Sequence, residues 1–217
     1  MSLRVVIETG TKRSFASALD WPGWSRAGRT PEAAVEALLE YAPRYARVGK
    51  RAGERLDAPG SVDEVEIVER LRGGGTTDFG VPGVPAAAEA APLGVADLGR
   101  LAALLRAAWD EVDAIADRAG GVELRKGPRG GGRDLDKILG HVREAEAAYL
   151  GQLGARPPKA ETMAPIRQAL LETLDARVTG RPIAEPRRTK RPWSPRYAIR
   201  RAAWHVLDHA WEIEDRS

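Results

Sequence analysis

The stretch SPRYAIRRAAWHVLDHAWEIEDRS, residues Ser194 to Ser217, decides how the second half of the chain is read. Ser194 followed by Pro195 is the opening of a helix: the serine side chain can take up a free backbone N–H, and proline has none to leave unpaired. An apolar stripe then recurs at Ile199, Ala203, Val206, Ala210 and Ile213, the three- and four-residue steps of an amphipathic helix. His205 and His209 border this stripe beside Ala202 and therefore lean inward, one above the other. Only three histidines occur in 217 residues, and two of them are here.

Three further helices precede this one. VADLGRLAALLRAAWDEVDAIADRA (Val95 to Ala119) places Leu98, Leu101, Leu105, Trp109, Val112 and Ile115 on one side and stops at Gly120-Gly121. DLDKILGHVREAEAAYLGQLG opens on Asp134 as a cap and carries Leu135, Ile138, Val142, Ala145 and Tyr149. ETMAPIRQALLETLDARVTG closes at Gly180. Four amphipathic helices of this length predict a four-helix bundle over residues 95–217. The third histidine, His141, follows Ile138 by three and precedes Ala145 by four, which sets it at the edge of its helix's apolar stripe.

The first 71 residues read differently. LRVVIET (Leu3 to Thr9) and SFASALD (Ser14 to Asp20) are strand-like, with GTKR between them as a turn. Thr30 caps a helix whose first residue is Pro31 and whose apolar positions Ala34, Leu38, Tyr41 and Tyr45 continue at helical spacing. VDEVEIVER, after Gly60, alternates as a half-buried strand does. Residues 72–94, RGGGTTDFGVPGVPAAAEAAPLG, are rich in Gly, Pro and Ala without a period and read as a linker. The expected class is α+β: a small α+β unit (1–71), the linker (72–94) and the bundle (95–217).

Composition narrows the chemistry. The absence of cysteine excludes disulfides, thiolate metal sites and a cysteine nucleophile. A net charge of +3 is too small an excess to indicate nucleic acid. No stretch approaches the ~20 apolar residues of a membrane span, and MSLRVVIETG turns polar too soon for a signal peptide. A cytoplasmic protein is expected.

Neutral imidazole is the commonest protein ligand for zinc and also suits nickel, copper and iron. His205 and His209 have the spacing of the HExxH metallopeptidase pair, but Val206 stands where that motif carries its glutamate. If the helices are neighbours, His141 joins the pair, and three nitrogens leave open positions on an ion, as catalytic sites do. Glu144, Asp208 and Glu212 are placed to orient a ligating ring or act as a base; Arg143 with Glu146 reads as a surface pair. Arg129 and Arg133, in the glycine-rich GPRGGGRD before the His141 helix, are candidates for binding an anion such as a carboxylate. No catalytic nucleophile or base is assigned.

HVREAEAAYL together with RRAAWHVLDHAWEIEDR resembles the DinB-like (YfiT-related) superfamily of four-helix metalloproteins. The resemblance covers residues 95–217 and places that superfamily's metal-binding histidines at His141, His205 and His209. It implies a divalent metal, zinc or nickel foremost, and a small-molecule substrate such as a low-molecular-weight thiol, acted on by a transferase or isomerase. The acidic AWEIEDR differs from the pattern of the better-understood transferases, so the substrate does not carry over. FASALDWPGWSRAGRTPEAAVEALLEY, within residues 3–70, is similar to the HicB-like fold, whose members are commonly antitoxins; no DNA-binding tail accompanies it here. The second reading is therefore a non-catalytic regulatory or stress-associated protein, an antitoxin-type module or interaction scaffold. The basic run RPIAEPRRTKRPWSPRYAIRR (Arg181 to Arg201) reads as a solvated connection in preference to a nucleic-acid contact. No membrane partner is expected, and a homodimer is the candidate assembly. Trp204 and Trp211, seven apart, read as packing residues placed to cover the first unit.

Overall fold

The computed structural model describes residues 2–126 and 132–217. β1 (Leu3–Thr9) and β2 (Ser14–Ala18) pair antiparallel across the 10–13 turn, β3 (Ser25–Gly28) adds to β2, and β4 (Val65–Arg72) lies parallel to β1. The sheet order is β3-β2-β1-β4, with the register shifting between Val5 and Val6 against β4. Because strand side chains alternate faces, Val5, Ile7, Ala16 and Ala18 join Ala34, Val35 and Leu38 of α1 (Pro31–Glu40) in the core. Thr30 caps α1 by accepting from the Ala33 N–H. The structure is α+β, as expected.

Two local features depart from the sequence reading. The helix expected to run through Tyr45 ends at Glu40 and restarts as α2 (Ala42–Arg51), because Pro43 cannot continue the N–H ladder of the first. β3 has neither β-branched nor aromatic residues, and pairing with β2 rather than propensity makes it a strand. The WPGW turn between β2 and β3 is pinned on both sides. Trp24 stacks on Tyr45 at 5.3 Å and donates to the Leu38 carbonyl at 2.8 Å, while the Tyr45 hydroxyl donates to Pro22 O at 2.8 Å. Gly23 adopts φ +94°, and a Cβ there would lie about 3 Å from Ala203 and Leu207, so glycine is required twice over.

The remaining chain holds α4 (Val95–Arg118), α5 (Leu135–Leu153), α6 (Ala164–Thr179) and α7 (Pro195–Arg216). α7 packs on α4 and α5, and α6 closes the ring against both. Ser194 and Asp134 cap α7 and α5 through their side chains. None of the described helices is long and apolar enough to cross a membrane. One apolar cluster runs from Leu3 through Tyr45, Leu104 and Ile138 to Ile213, so sheet unit and bundle share a core. Arg47 and Arg51 of α2 clasp the buried Glu111 of α4 at 2.9 and 3.0 Å.

Residues 72–94 include the short α3 (Gly75–Phe79) and a 3₁₀ turn over Ala87–Ala90, and two buried carboxylates fasten them. Glu8 of β1 accepts from Thr77 Oγ1 (2.6 Å) and from the N–H groups of Gly83 (3.2 Å) and Val84 (2.9 Å). Glu89 accepts from Arg200 Nε at 2.6 Å and Nη2 at 3.1 Å, and from the Ala86 N–H at 2.7 Å. Removing one partner of such a pair leaves a buried charge uncompensated. Arg200→Met is therefore expected to cost about 3–5 kcal/mol, read as a lower urea midpoint with an unchanged slope.

Candidate metal centre

α5 and α7 run antiparallel where they meet. His141 touches both His205 and His209, while Tyr149, two turns further along α5, meets His205 and Arg201, further back on α7. The four-residue steps 141–145–149 and 201–205–209 make two facing stripes. The ligand atoms of His141, His205 and His209 all lie within 4.8 Å of one another, and His205 Nε2 is 3.1 Å from His141 Nε2. A tetrahedral zinc with ~2.0–2.1 Å bonds holds its nitrogens about 3.4 Å apart, so the trio needs little movement to share one ion. The ring centroids are 4.7–5.0 Å apart.

The protonation chemistry fits ligation as well. Burial, reinforced by the neighbouring imidazoles, pushes the His205 pKa down to about 2; burial likewise lowers that of His141, with His209 and Arg133 adding to it. Neutral rings keep a lone pair to offer. With both Nε2 atoms facing each other, one proton can be shared between them but two cannot fit. His205 Nδ1 is buried without a hydrogen-bond partner among the described residues. The donor set of three nitrogens suits zinc, nickel or copper better than the oxygen-seeking magnesium or calcium.

Around the trio, Glu212 Oε2 lies 2.9 Å from His209 Nδ1, a contact that occupies that nitrogen and leaves Nε2 as the one free to ligate. The hydrogen bond to His209 and the Arg216 guanidinium, whose Nη1 donates to Oε1 at 2.7 Å, keep the Glu212 carboxyl below its usual range. Asp208, one residue before His209 and so about 100° round the helix, turns away to meet Arg26 of β3 at 3.1 Å. Glu144 is exposed and has no hydrogen bond to a histidine among the described residues. The Arg133 side chain is exposed, and its carbonyl accepts from Arg216 Nη2 at 2.8 Å; Arg129 lies outside the described residues. In the basic run, Arg196 pairs with Asp97 at 2.8 Å and Arg200 with Glu89, so these arginines serve the fold.

Sequence reasoning missed two buried groups near this face. Arg201 stands one turn before His205, a spacing that was legible in the sequence. Glu146 pairs not with Arg143, which donates to the Glu161 carbonyl, but with Arg167 of α6 at 3.4 Å, and Arg167 in turn forks onto Asp113 at 2.6 and 3.0 Å. Two clefts of about 410 and 740 Å³ lie elsewhere, lined by Asp20, Arg100 and Arg196 and by Pro157, Thr173 and Glu185 respectively. Neither contains a histidine, and converging ligand atoms mark the chemistry better than volume does. No protein-family model matches the chain, nor does any curated protein or solved structure.

Burial raises the Glu146 carboxyl from 4.5 to about 7, against the opposing pull of Arg167. Its folded form keeps a proton that the unfolded form releases, so stability is lost as pH climbs through this window. Relative to Glu146→Gln, the wild type is expected to lose on the order of 2 kcal/mol between about pH 4.5 and 7, measured by thermal unfolding at stepped pH.

Proposed function

We propose that this chain is a divalent-metal-dependent enzyme of the DinB-like kind, joined to a HicB-like N-terminal unit, with zinc or nickel held by His141, His205 and His209. The observation that carries this reading is the convergence of three imidazole ligand atoms within 4.8 Å, drawn from two different helices. Three protein ligands leave positions for a reactant, which distinguishes the arrangement from a closed structural site. A bound ion supplies Lewis acidity, making a nucleophile available at neutral pH.

The protein's own groups do the positioning. Glu212 fixes the His209 tautomer by accepting from Nδ1–H, so that Nε2 presents its lone pair. His205 is buried and packed edge-on against Tyr149 at 5.7 Å. His141 and His209 are only partly buried, so the centre is not sealed by the described residues. The substrate is a small molecule, a low-molecular-weight thiol foremost, in a transfer or isomerisation reaction, and the cytoplasm is the matching location.

Untagged protein expressed with zinc and nickel supplied should carry about one equivalent of metal by mass spectrometry, and His209→Ala should lose it. A metal-free wild type would sink the reading. Glu212→Gln should keep the fold but weaken metal binding by about 10–100-fold, measured by competition with a chromogenic chelator.

A further inference from the structure

Two adjacent arginines on α7 are equally buried and are treated in opposite ways. Arg200, 6% exposed, has its charge neutralised by Glu89 and further hydrogen bonds to the Val84 and Pro82 carbonyls at 3.0 and 3.4 Å. Arg201, 7% exposed, meets no carboxylate among the described residues. Its one hydrogen bond among the described residues is a long one, Nη2 to the Tyr149 hydroxyl at 3.3 Å, and its Nε and Nη1 are buried without partners among them. Its guanidinium lies over the rings of Trp204 and Tyr149, at 4.9 and 5.5 Å. Aromatic faces offset part of the desolvation of a cation, but a buried guanidinium with no counter-charge remains costly.

We propose that Arg201 and Tyr149 form an anion subsite that takes a carboxylate of the molecule acted on at the three-histidine centre. This inference rests on the metal-centre reading for the identity of the neighbouring site, though not for the anion binding itself. Arg201 lies one turn from His205, about 6 Å along the helix axis, and Tyr149 bridges the two, touching both. The facing stripe on α5 is His141, Ala145 and Tyr149, all partly exposed, and the small Ala145 sits between the two larger side chains. A ligand lying along this stripe meets the imidazoles at one end and the guanidinium at the other. The planar fork of arginine matches the two oxygens of a carboxylate. A chain of about two or three carbons between the carboxylate and a metal-seeking group, such as a thiol, covers the distance.

The test compares two thiols that differ in the carboxylate. Cobalt-loaded full-length protein is titrated with 3-mercaptopropionate and with 2-mercaptoethanol, followed by the sulfur-to-cobalt absorption band. The wild type should bind 3-mercaptopropionate at least about tenfold more tightly, the strength of one charge-assisted contact. Arg201→Met should abolish that preference and leave 2-mercaptoethanol unchanged. Equal affinities in the wild type, or a preference that survives in the variant, overturn the subsite while leaving the metal centre standing. Failure of cobalt to bind removes the metal reading instead, and calorimetric titration of the metal-free chain with glutarate then decides the subsite: heat that Arg201→Met removes supports it, and no heat overturns it. Because the charge meets no carboxylate among the described residues, Arg201→Met should also melt at or above the wild-type temperature. A variant that melts well below it, or fails to fold, makes Arg201 a structural residue and overturns the proposal.

Discussion

Helix α7 is wedged between the sheet unit and the rest of the bundle, and 14 of its 22 residues are buried. On the side facing the first unit, Trp204 meets Phe15 edge-on at 6.2 Å and Trp211 packs on Tyr41 at 5.1 Å. Arg200 adds its pair with Glu89, and Asp208 its pair with Arg26. Together these contacts set the helix's rotation and height. The stripe at Arg201, His205 and His209 is thereby held against α5 at one rotation and one height, which is what a three-ligand centre on two helices requires.

Close approach depends on small residues. Ala198, Ala202, Ala203 and Ala210 are almost completely buried, and the backbone at Gly23 comes directly against Ala203. A larger side chain at any of these positions would push α7 off its neighbours, and overpacking of that kind typically costs about 1–3 kcal/mol. The geometry of the centre and the packing of the sheet unit are therefore one problem for this sequence.

How much of this was legible in the sequence follows the physics of each element. The bundle helices carried their own apolar periods and caps, so Ser194, Asp134 and the stripes around them could be read locally. His141, His205 and His209 could be placed on inward-leaning faces, because a helix fixes angular position by spacing alone. β3 could not be read, since SRAG becomes a strand only beside β2. Nor could the roles of Glu8, Glu89 and Glu146: each finds its side-chain partner 69, 111 or 21 positions away, and a lone glutamate looks the same whether it is solvated or buried. Pro43 did signal the break after α1, but the continuing apolar spacing masked it.

The unmet polar groups on α7 differ in kind from one residue to the next. The Trp204 and Trp211 indoles, unpartnered among the described residues, each leave one neutral N–H, a cost of about 1–3 kcal/mol apiece, and large aromatic contacts offset it. Among the described residues, Arg201 leaves a full charge and two donors and His205 a ring nitrogen, both on the stripe that faces α5, while Arg196 leaves only its Nε and has its charge met by Asp97. A helix that supplies Arg200 with a complete set of acceptors has the means to do the same one residue later. Instead it sets the unneutralised cation one turn from three converging imidazoles. Local rules broken at the same place where ligating groups gather are the pattern expected of a site shaped for something other than the chain itself.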